Sequence, residues 1–165
     1  MFSIGEKVVY GAYGVMKIVD VRDIEIGDCM RKYYVLCEAG AVAFSETLIP
    51  VDNQTLVAGM RRLLSPDGML AAIKAAKAVT DLPWVEDNRA RAEHFKSVMT
   101  SGDRTAILVM IRSIVAAGVR RAAEGKKNFL ADEIAMKKAE KILYSEISAV
   151  MEIPTADVPA FIESV

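Results

Sequence analysis

The chain has 165 residues, of which 53% are hydrophobic and 26% are charged, and its formal net charge is −1. This balance is typical of a globular protein and excludes an intrinsically disordered chain. The charge argues against a strong autonomous nucleic-acid binder, because such proteins carry a basic surface that neutralises phosphates. Residues 67–165 hold fourteen basic and fourteen acidic side chains, so the second half has no basic excess either.

The first strand signals lie in residues 2–50, where short β-branched and aromatic runs alternate with glycine turns. Residues 8–10 open a strand, residues 15–22 alternate between two partly covered faces, and Gly27 and Asp28 form the next turn. Residues 32–37, 42–44 and 48–49 continue the series, and Pro50 ends it. Five short strands predict a small SH3-like or Tudor-like β-barrel, with residues 1–55 as the first domain.

From residue 51 onward the pattern becomes helical. Asp52 and Asn53 are candidate N-caps for a short helix to residue 64, which the turn residues 65–68 close. Further helices are predicted over residues 69–79, 86–99, 103–123 and 129–152, with a last short one from residue 154. The fold class is therefore α+β, with an all-helical second domain of about five helices over residues 56–165.

The helix over residues 103–123 contains the longest apolar stretch, residues 106–119, which Arg112 interrupts. A membrane span needs about 20 apolar residues, so this stretch predicts a buried helix. The first residues lack the basic and apolar regions of a signal peptide. We therefore expect a cytoplasmic protein in which Cys29 and Cys37 are reduced thiols.

Short motifs along nearly the whole chain occur in a recognisable order: FSIGEKVVYGAYGV (2–15), KYYVL (32–36), IPVDN (49–53), MRRLL (60–64), WVEDNRARAEHFK (84–96), SGDR (101–104), GKK (125–127), DE (132–133) and KKAEKILYSEIS (137–148). With them the chain resembles the CarD/CdnL family of bacterial transcription regulators. The N-terminal module of that family is shared with the transcription-repair coupling factor, where it interacts with RNA polymerase.

The resemblance implies a mechanism. The β module would dock on the β subunit of RNA polymerase, and the helical module would be held at the upstream edge of the transcription bubble. There a tryptophan enters the minor groove and stabilises the open promoter complex. Trp84 is the matching residue. Apolar wedges exploit partly unstacked base steps, which the edge of a bubble already contains.

The residues after Trp84 depart from the better-known members, which carry a basic run there. This chain has Val85 followed by acidic residues, and its basic residues arrive at Arg89, Arg91 and Lys96. We take these three with Trp84 as the candidate DNA contacts. The alternatives are a tryptophan packed in the core and an intrahelical ion pair between Arg89 and Glu93, four residues apart.

The polymerase-contacting arginines of some family members have no clear counterparts, and Ile24 and Leu48 align with their positions. Tyr33 and Tyr34 should lie on opposite faces of their strand, so one is expected inside and the other available. The predicted polymerase-binding set is Ile24, Tyr34, Phe44 and Leu48. A docking mode that adds a strand to the edge of the sheet would tolerate these side-chain changes.

Nothing in the sequence indicates catalysis. His94 is the only histidine, no cysteine lies near it to build a metal site, and the GAYG turn lacks the GK[ST] of a phosphate-binding loop. We expect a protein that is not an enzyme and has no cofactor or metal. Its predicted partners are the polymerase β subunit and promoter DNA, bound weakly and without base-specific readout. The alternative is an adaptor whose helical domain recruits another protein and never contacts DNA.

Overall fold

The computed structural model describes residues 1–39 and 45–165. The chain forms two compact units, Met1–Leu63 and Leu64–Val165. The first unit is built on a β-sheet and the second on helices, so the predicted α+β class is confirmed. The predicted strand over residues 42–44 lies outside the described residues.

The first unit contains a five-stranded antiparallel sheet in the order β4-β3-β2-β1-β5. Its elements are β1 (Lys7–Tyr10), a 3-10 helix (Gly11–Tyr13), β2 (Gly14–Ile26), β3 (Cys29–Glu38), β4 (Glu46–Pro50), the short helix α1 (Gln54–Ala58) and β5 (Met60–Arg62).

The long hairpin of β2 and β3 turns at Gly27, whose φ of 64° lies in the left-handed region that favours glycine. This turn was predicted. The strict alternation predicted over residues 15–22 is wrong, because the register shifts between Ile18 and Asp20. The bulged Val19 between them is 40% exposed.

The core of the first unit lies on one face of the sheet and consists of Val8, Met16, Ile18, Tyr34, Leu36, Ile49 and Met60. Side chains of the other face are buried as well, among them Val9, Val15, Tyr33 and Val35. Tyr33 and Tyr34 are therefore both inside, and the prediction that one of them is available at the surface is wrong.

Strand β5 replaces the end of a predicted helix. Asn53 does cap α1, with its Oδ1 accepting a hydrogen bond from Leu56 N at 3.1 Å. The helix ends at Ala58, however, and Met60–Arg62 pairs with β1. The first unit consequently extends to Leu63 rather than to residue 55. No pairing of β4 with β5 occurs in the described part of this unit, and closure into a barrel stays a prediction.

Cys29 and Cys37 both lie on β3, one near each end. At about 3.3 Å per residue they are about 26 Å apart, far beyond the reach of a disulfide. Both are free thiols, as expected.

The second unit, Leu64–Val165, contains five α-helices, the number predicted. They are α2 (Pro66–Ala78), α3 (Asn88–Ser101), α4 (Arg104–Ala123), α5 (Leu130–Met151) and, after a 3-10 helix at Thr155–Asp157, α6 (Val158–Ser164). Ser65 caps α2 instead of ending the preceding helix, because its Oγ accepts from Gly68 N at 3.1 Å. Asp103 caps α4, as predicted, by accepting from Ala106 N at 3.1 Å.

Helix α4 is the centre of this unit and packs against α2, α3 and α5. Its buried residues are Ile107, Leu108, Met110, Ile111, Ser113, Ile114 and Ala117. This confirms the predicted buried helix except at Val115 and Val119, which are 51% and 66% exposed. In the part of the chain that the structure describes, no helix is both long and apolar enough to cross a membrane.

Candidate functional site

Trp84 lies in the non-helical segment between α2 and α3, before the N-cap residue Asp87. It is half-buried and packs against the apolar core of the second unit. Its ring centroid is 6.4 Å from that of Phe95. The guanidinium carbons of Arg91 and Arg120 lie 4.6 and 6.0 Å from the indole centroid. The indole is thus flanked by two cations and keeps part of its surface accessible.

Arg91, predicted to contact DNA, is only 2% exposed. Its Nε donates to both carboxylate oxygens of Asp132 at 3.1 Å. Its Nη1 donates to the carbonyls of Val85 and Glu86 at 2.9 and 3.1 Å. Its Nη2 donates to Asn88 Oδ1 at 2.8 Å and forms an ion pair with Asp132 Oδ2 at 3.0 Å. All three nitrogens are engaged inside the protein, so the prediction that Arg91 contacts DNA is wrong.

A second aromatic ring lies on the far side of this network. The Arg91 guanidinium carbon is 5.0 Å from the ring centroid of Phe129, which immediately precedes α5. Arg121 lies over the same ring at 3.9 Å, and its Nε donates to Lys127 O at 2.8 Å. Two aromatic rings and three arginines therefore lie together where the C-terminal end of α4 and the beginning of α5 approach the tryptophan. The rings are Trp84 and Phe129, and the arginines are Arg91, Arg120 and Arg121.

Arg89 and Lys96, the other two predicted DNA contacts, are both exposed on α3. The intrahelical ion pair that the sequence allowed between Arg89 and Glu93 is absent from the described residues. Both side chains can therefore reach an external anion, although neither contacts Trp84 in the way that Arg91 does.

Arg120 is the residue near Trp84 that the sequence analysis missed. It is exposed at the C-terminal end of α4, and the basic residues Arg121, Lys126 and Lys127 follow it closely. Lys126 is paired with Glu124 at 2.7 Å, which lowers the pKa of that carboxyl. Two arginines at the end of a helix are ordinarily explained by the helix dipole. No local signal connects them with a tryptophan so distant in the sequence.

The predicted polymerase-binding residues differ in their exposure to solvent. Tyr34 is buried at 2% exposure and its hydroxyl accepts a hydrogen bond from Phe2 N at 3.2 Å, so it is a core residue. Ile24 is half-buried on β2, opposite Arg31. Leu48 is 39% exposed on β4. Phe44 lies outside the described residues.

Comparison with known protein families gives a match that covers the first unit. Residues 2–64 match the model of the CarD-like/TRCF RID domain. The N-terminal unit is a CarD-like/TRCF RID domain. Domains of this family are RNA-polymerase-interacting modules. The match ends one residue beyond the first unit, so the resemblance of the helical unit to the same regulators stays a prediction. No curated protein matches the chain.

Among the residues that the structure describes, β4 is an edge strand of the sheet in the RID domain. Val51 N donates to Lys32 O of β3 at 2.9 Å. Because backbone groups of an antiparallel strand alternate in direction, the N–H groups of Thr47 and Ile49 also point toward β3. The N–H of Leu48 then points to the open side. An extended segment of a partner could pair with this edge.

Proposed function

We propose that the chain is a bacterial transcription regulator that binds the β subunit of RNA polymerase through its RID domain. In this proposal it acts in the cytoplasm, has no catalytic activity, and stabilises the open promoter complex through Trp84. The observation that carries the proposal is the RID match over residues 2–64. The chain joins a domain of a polymerase-interacting family to a helical unit with one tryptophan. We expect this combination in a factor that brings the helical unit to a promoter.

The surroundings of Trp84 support a DNA contact. The partly exposed indole is an apolar group suited to an unstacked base step, and the exposed Arg120 beside it can contact a backbone phosphate. Arg89 and Lys96 offer two more cations on α3. Of the acidic residues nearby, Asp87 is occupied as the N-cap of α3, with its Oδ1 accepting from Ala90 N at 2.8 Å. Its negative charge is therefore partly offset by the helix dipole.

Tethering makes this contact useful despite the neutral charge of the helical unit. Non-specific DNA affinities are typically ~10⁻⁴ to 10⁻⁶ M, too weak for a factor of this charge acting alone. Binding to the polymerase raises the effective concentration of promoter DNA to ~mM, which exceeds even the weak end of that range. The contact needs no base-specific readout, because the polymerase has already selected the promoter.

The alternative function is a polymerase-bound adaptor whose helical unit recruits another protein. The packing of Trp84 against Phe95 and Arg91 favours this alternative, because it gives the indole a structural role without DNA. In that case the exposed cations around α3 and the end of α4 are a solvated surface.

The test combines two measurements on the full chain, with Trp84→Phe as the control that keeps an aromatic ring. Calorimetry with the isolated β subunit lobe is expected to give micromolar or tighter binding that Trp84→Ala leaves unchanged. The lifetime of open promoter complexes is expected to fall with Trp84→Ala and less with Trp84→Phe. Absence of binding to the lobe would reject polymerase docking. Unchanged lifetimes with intact binding would favour the adaptor.

A further inference from the structure

We propose that Arg91 is the positioning residue of Trp84, a buried cation that holds the indole in one orientation for its partner. This inference rests on the proposed role of Trp84 at the promoter and adds a residue that does not itself touch DNA. It follows from the contacts that Arg91 makes with the ring, with the backbone beside the ring and with helix α5.

Arg91 contacts both the indole ring of Trp84 and the backbone beside it. The Arg91 guanidinium lies 4.6 Å from the indole centroid, within the range of a cation–π contact. The same group donates hydrogen bonds to the carbonyls of Val85 and Glu86, the two residues that directly follow the tryptophan. One side chain thus restrains both the indole ring and the backbone on which it is carried.

Arg91 is itself held in place by Asp132 and Phe129. Asp132, in the first turn of α5, holds the guanidinium through Nε and Nη2 and is 7% exposed. Phe129 lies 5.0 Å from the guanidinium carbon. The guanidinium is therefore fixed in plane by a carboxylate and packed against two rings. The orientation of Trp84 is tied through it to the beginning of α5.

Only arginine can make this set of contacts. Its planar guanidinium offers several donors in a fixed fork and stacks on aromatic faces, whereas the ammonium of lysine is a point charge without a plane. A ring held in this way is ordered before the partner arrives. Groups that are ordered in the free protein bind more tightly, because less conformational entropy is lost on binding.

The helical unit contains a matched control. Arg104 forms a similar buried pair with Glu146, with side chains 14% and 2% exposed. Its Nε and Nη2 donate to that carboxylate at 3.0 and 2.8 Å, and its Nη1 donates to Gly102 O at 2.9 Å. Arg104 begins α4 whereas Arg120 lies near its end, so the two are about 24 Å apart along the helix. Substitution of Arg104 perturbs a comparable ion pair at a distance from Trp84.

The experiment uses acrylamide quenching of tryptophan fluorescence in the free full-length protein, where Trp84 is the only tryptophan. Arg91→Lys is expected to raise the quenching constant severalfold and to shorten the open-complex lifetime toward that of Trp84→Ala. Arg104→Lys is expected to leave both values near those of the unsubstituted protein. Circular dichroism and unfolding midpoints verify that the two lysine variants are folded and comparably stable.

Three outcomes would overturn the proposal. The first is an unchanged quenching constant in folded Arg91→Lys, and the second is an equal change in the quenching constants of both lysine variants. The third is a raised quenching constant in Arg91→Lys with an unchanged open-complex lifetime, while Trp84→Ala shortens that lifetime. If Arg91→Lys does not fold, Phe129→Leu replaces it, since it removes one stacked ring and no polar partner, and unchanged quenching there is equally decisive. Quenching needs no polymerase. A Trp84→Ala variant without effect on promoters would therefore reject the proposed function separately.

Discussion

Two buried arginine–carboxylate pairs, Arg91–Asp132 and Arg104–Glu146, organise the helical unit at the scale of single residues. A charge removed from water is costly unless a partner and further hydrogen bonds satisfy it. Glu146 meets this requirement: it accepts from Arg104 and also from the backbone N–H of Leu64 at 3.0 Å. The carboxylate thereby fastens the residue that begins the second unit to helix α5.

We expect Glu146→Ala to destabilise the helical unit by about 3–5 kcal/mol, because it leaves Arg104 with an uncompensated buried charge. The loss is measured by urea unfolding followed through the helical circular dichroism signal. Glu124→Ala is the control, since the Glu124–Lys126 pair has side chains 58% and 59% exposed and should shift the unfolding midpoint very little. Equal shifts in the two variants would contradict the role assigned to Glu146.

The spacing of the buried residues on α3 gives a partial sequence signal for the burial of Arg91. Arg91 and Phe95 are four residues apart and are the two buried residues of α3, with Val98 and Met99 half-buried on the following turn. An arginine on the apolar stripe of a helix is a candidate for a buried pair. The partner, Asp132, is 41 positions away in the sequence, and no local pattern identifies it.

Among the elements of the RID domain, the edge strand β4 is the one through which we expect binding to RNA polymerase. Proline is tolerated on an edge strand where its missing N–H would face outward. Position 48 meets that condition, because the N–H groups of its neighbours Thr47 and Ile49 point toward β3. Backbone pairing and side-chain contact at this edge can therefore be separated experimentally.

We expect Leu48→Pro to weaken binding to the β subunit lobe about tenfold or more, since an interface carbonyl left without its hydrogen bond costs ~1–3 kcal/mol. Leu48→Ala keeps the N–H and should weaken binding less. Calorimetry measures both affinities, and circular dichroism verifies that the sheet is retained. The opposite order of the two variants would show that the partner recognises the side chain of Leu48 rather than the strand edge.

At the scale of the whole molecule, charge limits what the chain can do alone. It has 21 basic and 22 acidic side chains, and its helical half is balanced. Counterion release, which supplies most non-specific DNA affinity, requires several unpaired cations on one surface. Near Trp84 the described residues offer few such cations, namely Arg89 and Lys96 on α3 and Arg120 on α4, so DNA binding should depend on the polymerase.

We expect the free protein to bind duplex DNA no more tightly than ~10⁻⁴ M at physiological salt, with no preference among sequences. A gel shift over promoter and scrambled duplexes measures this, and the same duplexes with polymerase present serve as the positive control. Tight, sequence-selective binding by the free chain would contradict the tethering argument.

Sequence patterns alone predict the two-part organisation, a cap at Asp52 or Asn53, the cap at Asp103, the turn at Gly27 and the buried helix α4. These features depend on neighbouring residues, whose propensities and spacing are visible in the chain. The three-dimensional fold was needed to establish that Arg91 is buried, that Arg120 lies beside Trp84, that Tyr34 is in the core and that residues 60–62 form a strand. Each of these depends on partners distant in the sequence, which packing brings together and local patterns do not encode.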